Sequence, residues 1–163
     1  MRTKRMLQKY LNNFFAVFLL SFSMTAWTEG YTFDPEADPA QHYSAALSSA
    51  NEQGKLVLVV FGSEWCPDCR SLNQKMTKSP LRQTLDNSFV VTHVDIGNWD
   101  LNMAFAANFG EPVAKGIPSI AIVEPAGKIL YVSEAGEFAS ARSSGIDSLD
   151  DWFQAKLAET PGL

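Results

Sequence analysis

A chain of 163 residues with 46% hydrophobic content supports one domain with its own core and gives no ground for a second. Its 13 basic and 18 acidic side chains leave a formal charge of −5; the first 26 residues hold four cations (Arg2, Lys4, Arg5 and Lys9) and no acid, so the remainder carries −9. Such an acidic body has no electrostatic case for binding nucleic acid or for adhering to an anionic membrane surface.

The basic start is followed by an apolar block from Phe14 to Leu20 and by small residues up to Ala26. That order predicts a signal peptide over 1–26, removed on export, and therefore a periplasmic or secreted protein. The block is too short to span a bilayer comfortably. Residues 27–38, with Glu29, Asp34, Glu36 and Asp38, read as an exposed lead-in with a short strand at Tyr31-Thr32-Phe33; the domain proper runs 39–163. Asp38-Pro39 opens a helix in which Tyr43, Ala46, Leu47 and Ala50 recur at helical spacing, and Gly54 stops it. The run Lys55 to Phe61 is β-branched and uninterrupted, as in a central strand buried on both faces.

Behind it, Leu72, Met76 and Leu81 mark a helix that Pro80 kinks or divides. Phe89 to Asp95 is the next strand. Asn98 to Asn108 reads as a helix through Leu101, Phe105 and Phe109, ended by Gly110-Glu111-Pro112. Strands Ile120–Val123 and Ile129–Val132 flank a turn at Pro125–Lys128 and make an antiparallel hairpin. Ala139 to Gly145 is small and polar, a loop. Leu149, Trp152, Phe153 and Leu157 give a closing amphipathic helix. The alternation describes an α/β fold with a mixed sheet and helices on both faces.

Both cysteines lie in Trp65-Cys66-Pro67-Asp68-Cys69, directly after the central strand. At i and i+3 of a helix they share a face and can close into a disulfide with little backbone movement. Cys66 falls at the helix N-terminus, where unpaired N–H groups and the macrodipole favour its thiolate, and Pro67 fits the first turn. This makes Cys66 the attacking sulfur and Cys69, one turn in and less exposed, the resolving one. Asp68 disfavours a nearby thiolate and Arg70 partly offsets it, a balance that leans toward a reducing dithiol. A structural disulfide this short would stabilise little. Zinc would need further ligands, and His42 and His93 come from a helix and a strand without a second Cys pair, so no metal is expected. His93 reads as a strand residue with a satisfied ring, and Trp99 and Trp152 as core or surface aromatics.

With Trp65-Cys66-Pro67-Asp68-Cys69 and Gly116-Ile117-Pro118-Ser119 both present, the chain resembles the thioredoxin superfamily, most closely its exported bacterial members, over roughly Gln41 to Leu157. The resemblance implies a thioredoxin fold with an antiparallel C-terminal hairpin and a closing helix, and thiol:disulfide exchange through a mixed disulfide. By position it makes Pro118 a cis-proline against the thiols and Ile117 the residue whose backbone pairs with a substrate strand, with Trp65 and Pro67 on the docking surface. Thioredoxins proper carry a buried Asp six positions before the first Cys; here that position is Val60, and Glu64 is the nearest substitute. The Asn98–Val113 segment holds extra residues between the two motifs and is either a specificity element or a plain surface helix.

The function so implied is a protein disulfide oxidoreductase, a monomer without bound cofactor. It would act on protein disulfides or thiols and take electrons from a dithiol donor protein, such as one embedded in the membrane. The rival reading is a redox-inactive or redox-sensing binding or folding-assistance module that grips chains at the Ile117-Pro118 edge.

Overall fold

A computed structural model describes residues 31–133 and 136–160, so the expected signal peptide lies outside the described residues. Four strands, β1 (Leu56–Gly62), β2 (Phe89–Asp95), β3 (Ser119–Val123) and β4 (Ile129–Val132), form one sheet in the order β2-β1-β3-β4. β1 runs parallel to β2 and antiparallel to β3, and β3 turns back on β4, so the sheet is mixed. Because β1 is interior and all seven of its residues are buried, its sequence has no reason to alternate polar with apolar.

Helix α1 (Pro39–Gln53) starts where Asp38 Oδ1 accepts the N–H groups of Ala40 and Gln41, and it ends at Gly54 in the left-handed region at φ 64°. On the far side of the Cys motif, α2 (Pro67–Met76) and α3 (Leu81–Ser88) are separate helices, divided just before Pro80, whose peptide bond is cis; Leu72, Met76 and Leu81 are all fully buried. The chain closes with α5 (Ile146–Ala158), after a short α4 (Met103–Ala106) that continues into a 3-10 turn at Ala107–Phe109.

The sheet is covered on both faces. Tyr43 of α1 meets the rings of Phe105 and Phe109, and Phe109 meets Phe61 of β1. Gly62, the next residue, faces the opposite way, as successive strand positions must, and looks directly at Cys69 of α2. On that second face α3 packs against α5, and Phe89 against Phe153.

Three sequence expectations are corrected. Asn98 to Asn108 is not one helix: Trp99 and Asn102 have positive φ, at 64° and 54°, which breaks any helix through them and leaves four α-helical residues and one 3-10 turn. Tyr31-Thr32-Phe33 forms no strand. Within the described part of the lead-in, 34–36 is exposed, yet Phe33 is buried at 2% exposure, its N–H held by Glu64 Oε1 at 2.8 Å. The packed unit therefore begins before residue 39. Among the described residues no helix is long and apolar enough to cross a membrane.

Phe33 also helps to enclose His93 on the edge strand β2, its ring edge-on at 5.0 Å, with Tyr31 at 5.4 Å. Asn73 Nδ2 donates to the Tyr31 carbonyl, which leaves Asn73 Oδ1 as the acceptor at 3.0 Å from His93 Nε2, so Nε2 carries the hydrogen. Burial pushes the imidazole down to about 4 from its ordinary 6.5, because no acid among these neighbours compensates the charged form. The unfolded chain takes up its proton near pH 6.5 and the folded one only near 4. Stability is thus full above pH 6.5 and falls as pH drops toward 4, by about 2–3 kcal/mol with the ring partly in reach of water. Urea unfolding at pH 7.5 and pH 4.5 should reveal this loss in the wild type, and His93→Gln should remove most of it.

Candidate active site

The end of β1 and the start of α2 place the two sulfurs. Cys66 is the N-cap of α2, extended at φ −75° and ψ 118°, and its Sγ accepts the Cys69 N–H at 3.2 Å. A sulfur in the capping position thus takes one of the orphan donors of the first turn. The Cys66 thiol lies 3.6 Å from the Ile117 carbonyl oxygen, and the Ile117–Pro118 peptide bond is cis. The two motifs, 51 residues apart in sequence, therefore meet at one point.

Both cysteines are free thiols. Cys66 retains 4% exposure and Cys69 none, so of the two only the first keeps any open surface. Burial, and next the hydrogen bond with Cys66, push the Cys69 thiol well above its ordinary range; the Asp68 carboxylate adds to this and the Ser63 backbone opposes it. The pair is therefore asymmetric: one sulfur sits at a helix mouth, the other in an apolar interior.

Of the residues flanking them, Pro67 is the exposed first residue of α2, and Ile117 and Pro118 are buried. Asp68 is also buried, and its partner is not Arg70 but Arg142: Oδ1 accepts the Arg142 backbone N–H at 2.9 Å and Oδ2 the guanidinium Nε at 3.1 Å. Arg70 turns instead to the Glu64 carbonyl oxygen. Glu64 directs its carboxylate to Phe33 N–H, on the lead-in. Val60 is fully buried, in the position where thioredoxins proper carry an acid.

Several residues that no sequence pattern singled out complete the site. Asp95, at the end of β2 and paired in register with Gly62, accepts from Ser63 Oγ and from Gly97 N–H on the same oxygen, each at 2.7 Å. Gly97 in turn offers its carbonyl oxygen to Ser63 Oγ and to Trp65 Nε1, both at 2.8 Å. This buried network ties the Cys loop to the turn after β2. That turn presents Trp99 beside Trp65, with ring centroids 5.4 Å apart. Lys75 of α2 donates to the carbonyls of Ala141, Arg142 and Ser144, so the loop expected at 139–145 is pinned to the dithiol helix at two points. An acid closing an apolar strand was the only available signal for Asp95; Arg142 sits in an aperiodic stretch and left none, and Trp99 was hidden in a stretch whose helical spacing reads it as a plain core or surface aromatic.

Comparison with known proteins agrees with this geometry. Residues 38–125 match the thioredoxin-like family model, whose span includes both motifs. A disulphide isomerase from Xylella fastidiosa Temecula1 is 32% identical, with 77% of this chain aligned to 95% of that one at a TM-score of 0.74. A thioredoxin from Thermus thermophilus (22% identity, 72% and 85% covered, TM-score 0.53) shares the fold. So does the C-terminal domain of DsbD from Neisseria meningitidis in its oxidised form (18%, 77% and 99%, TM-score 0.51). No curated protein sequence matches. A helix-capping cysteine with its partner one turn on, set against a cis Ile-Pro bond at the end of a mixed sheet, places the chain in the thioredoxin-like family.

Proposed function

We propose that this protein is an exported thiol:disulfide oxidoreductase that works chiefly as a reductase of protein disulfides in the periplasm. The observation that carries the reading is Cys66 Sγ at the mouth of α2, holding the Cys69 N–H and lying 3.6 Å from the Ile117 carbonyl oxygen. The Cys66 thiolate attacks one sulfur of a substrate disulfide; that S–S bond breaks, a mixed disulfide forms, and the departing substrate thiolate takes a proton. Cys69 then loses its proton and attacks Cys66 Sγ, releasing the second substrate thiol and leaving Cys66–Cys69 oxidised. Two electrons pass to the substrate, and a dithiol donor protein must return them.

Trp65, Pro67, Ile117 and Pro118 frame the approach, with the Ile117 backbone available to an extended substrate segment. The Xylella fastidiosa relative described as a disulphide isomerase supports the exchange chemistry, and the apolar leader sequence supports export. Asp68 tunes the pair: its charge adds to the burial that keeps Cys69 a thiol, so the resolving sulfur stays protonated until Cys66 has reacted. Glu64, engaged with Phe33, tunes only by way of the loop it holds.

Equilibration with glutathione tests the direction. The potential should lie nearer the roughly −270 mV of thioredoxin than the roughly −120 mV of a strong oxidant, and a value at the oxidising end overturns the reductase reading.

A further inference from the structure

The space over Gly62 is filled by two residues far apart in the sequence. A Cβ placed on Gly62 would stand 2.9 Å from Cys69 Sγ, and 2.5 and 2.9 Å from Cζ and Cε1 of Phe33, so the ring edge and the resolving sulfur converge on one point. Phe33 belongs to the segment before α1, and groups on either side of the dithiol hold it there. Glu64, two residues before Cys66, accepts the Phe33 N–H at 2.8 Å. Asn73, four residues after Cys69 and so on the same face of α2, donates to the Tyr31 carbonyl at 3.0 Å.

The face of β1 beneath this ring carries no acid. Val60 and Gly62 share that face, and β2 sets His93 opposite Val60 in register, with its ring against Phe33. Cys66, Asp68 and the Ser63 backbone act on the Cys69 thiol directly. The other titratable groups around the gap are engaged elsewhere: Glu64 with the lead-in main chain, Asp95 with Ser63 Oγ and Gly97 N–H, and His93 with Asn73. Thr32 and Asp34, on either side of Phe33, are both exposed. A cavity left by the ring would therefore open to water at one end and reach Cys69 Sγ at the other.

We infer that Phe33 is a positioning residue of the exchange reaction: clasped to the dithiol element through Glu64 and Asn73, the 31–33 segment seats the phenyl ring beside Cys69 Sγ and keeps water from that sulfur. The inference rests on the oxidoreductase reading above and gives the lead-in a part in the chemistry. A resolving sulfur kept dry stays a thiol while Cys66 makes the first attack, and the two sulfurs keep their separate tasks.

The test is a thiolate titration of the reduced protein by ultraviolet absorbance, with the oxidised protein as the blank so that tyrosine cancels. The wild type should show one thiolate, that of Cys66, up to about pH 10. Phe33→Ser should bring a second into that range, and iodoacetamide should then label Cys69 as well as Cys66. Phe33→Leu keeps an apolar wall and should titrate as the wild type does. Phe105→Ala, which takes a ring from the other face of the sheet, should lower stability without bringing in the second thiolate. Should Phe33→Ser fail to fold, Glu64→Gln and Glu64→Ala decide. Both lose the carboxylate charge, but only Gln keeps an acceptor for the Phe33 N–H, so Cys69 should label about five-fold faster in the Ala form. Two thiolates in the wild type, one in a folded Phe33→Ser protein, a second thiolate in Phe105→Ala, or equal labelling of the two Glu64 variants overturns the inference. A wild type that reduces neither insulin nor glutathione disulfide overturns instead the oxidoreductase reading on which it rests.

Discussion

Cys66→Ser is expected to abolish insulin reduction, with the rate falling by roughly three orders of magnitude or more, because a hydroxyl at the helix mouth is not ionised near neutral pH and cannot open a disulfide. Cys69→Ser should behave differently. It keeps the capping sulfur and the first attack, and stalls at the second, so a mixed disulfide through Cys66 accumulates and can be seen as added mass on non-reducing gels. The two variants separate the roles assigned to the two sulfurs by their unequal burial and the raised Cys69 thiol. A wild type that fails to reduce insulin, with a biological activity that survives Cys66→Ser, would return the protein to the rival class, a chain-gripping module with an idle Cys pair. Trapped adducts on Cys69→Ser would also identify the clients.

The second large effect falls on Gly62. Its backbone is ordinary strand, and in most strands a Gly→Ala change is neutral or mildly favourable. Here an added Cβ would stand 2.5 Å from Phe33 Cζ and 2.9 Å from Cys69 Sγ. Both neighbours are buried, at 2% and 0% exposure, and neither has room to retreat. Overpacking therefore dominates, and Gly62→Ala should lose about 2–3 kcal/mol in urea unfolding. If the clash with Phe33 is the larger part, Gly62→Ala/Phe33→Leu should recover some of what the single change removed. A Gly62→Ala protein as stable as the wild type would mean that the lead-in does not pack on β1 in the way described.

The alternation of elements, the central strand, the split at Pro80 and the hairpin were all legible, because each is written in a local pattern: an unbroken apolar run, a proline, or two β-branched segments across a short turn. The meeting of Cys66 with Ile117-Pro118 was available only through family resemblance, since nothing in either segment encodes the other. Phe33 was misread because a few aromatics among acids look like a lead-in, and its burial depends on the gap that Gly62 leaves open. The Asn98–Asn108 stretch carries apolar residues at helical spacing, yet Trp99 and Asn102 take left-handed conformations in a turn that Gly97 N–H and Asn102 Nδ2 tie to Asp95. Tertiary contacts overrode local periodicity there. Arg142 was invisible for a related reason: its partner Asp68 is 74 positions away.

Lys75 and Arg142 have a mechanical consequence. The stretch between β4 and α5 has no ladder of its own, but one ammonium grips three of its main-chain oxygens while Asp68 clasps it through both backbone and guanidinium. Two cationic struts thereby brace an irregular connector against the helix that bears the sulfurs. The connector that leads into the closing helix thus shares in holding the geometry around the reactive pair.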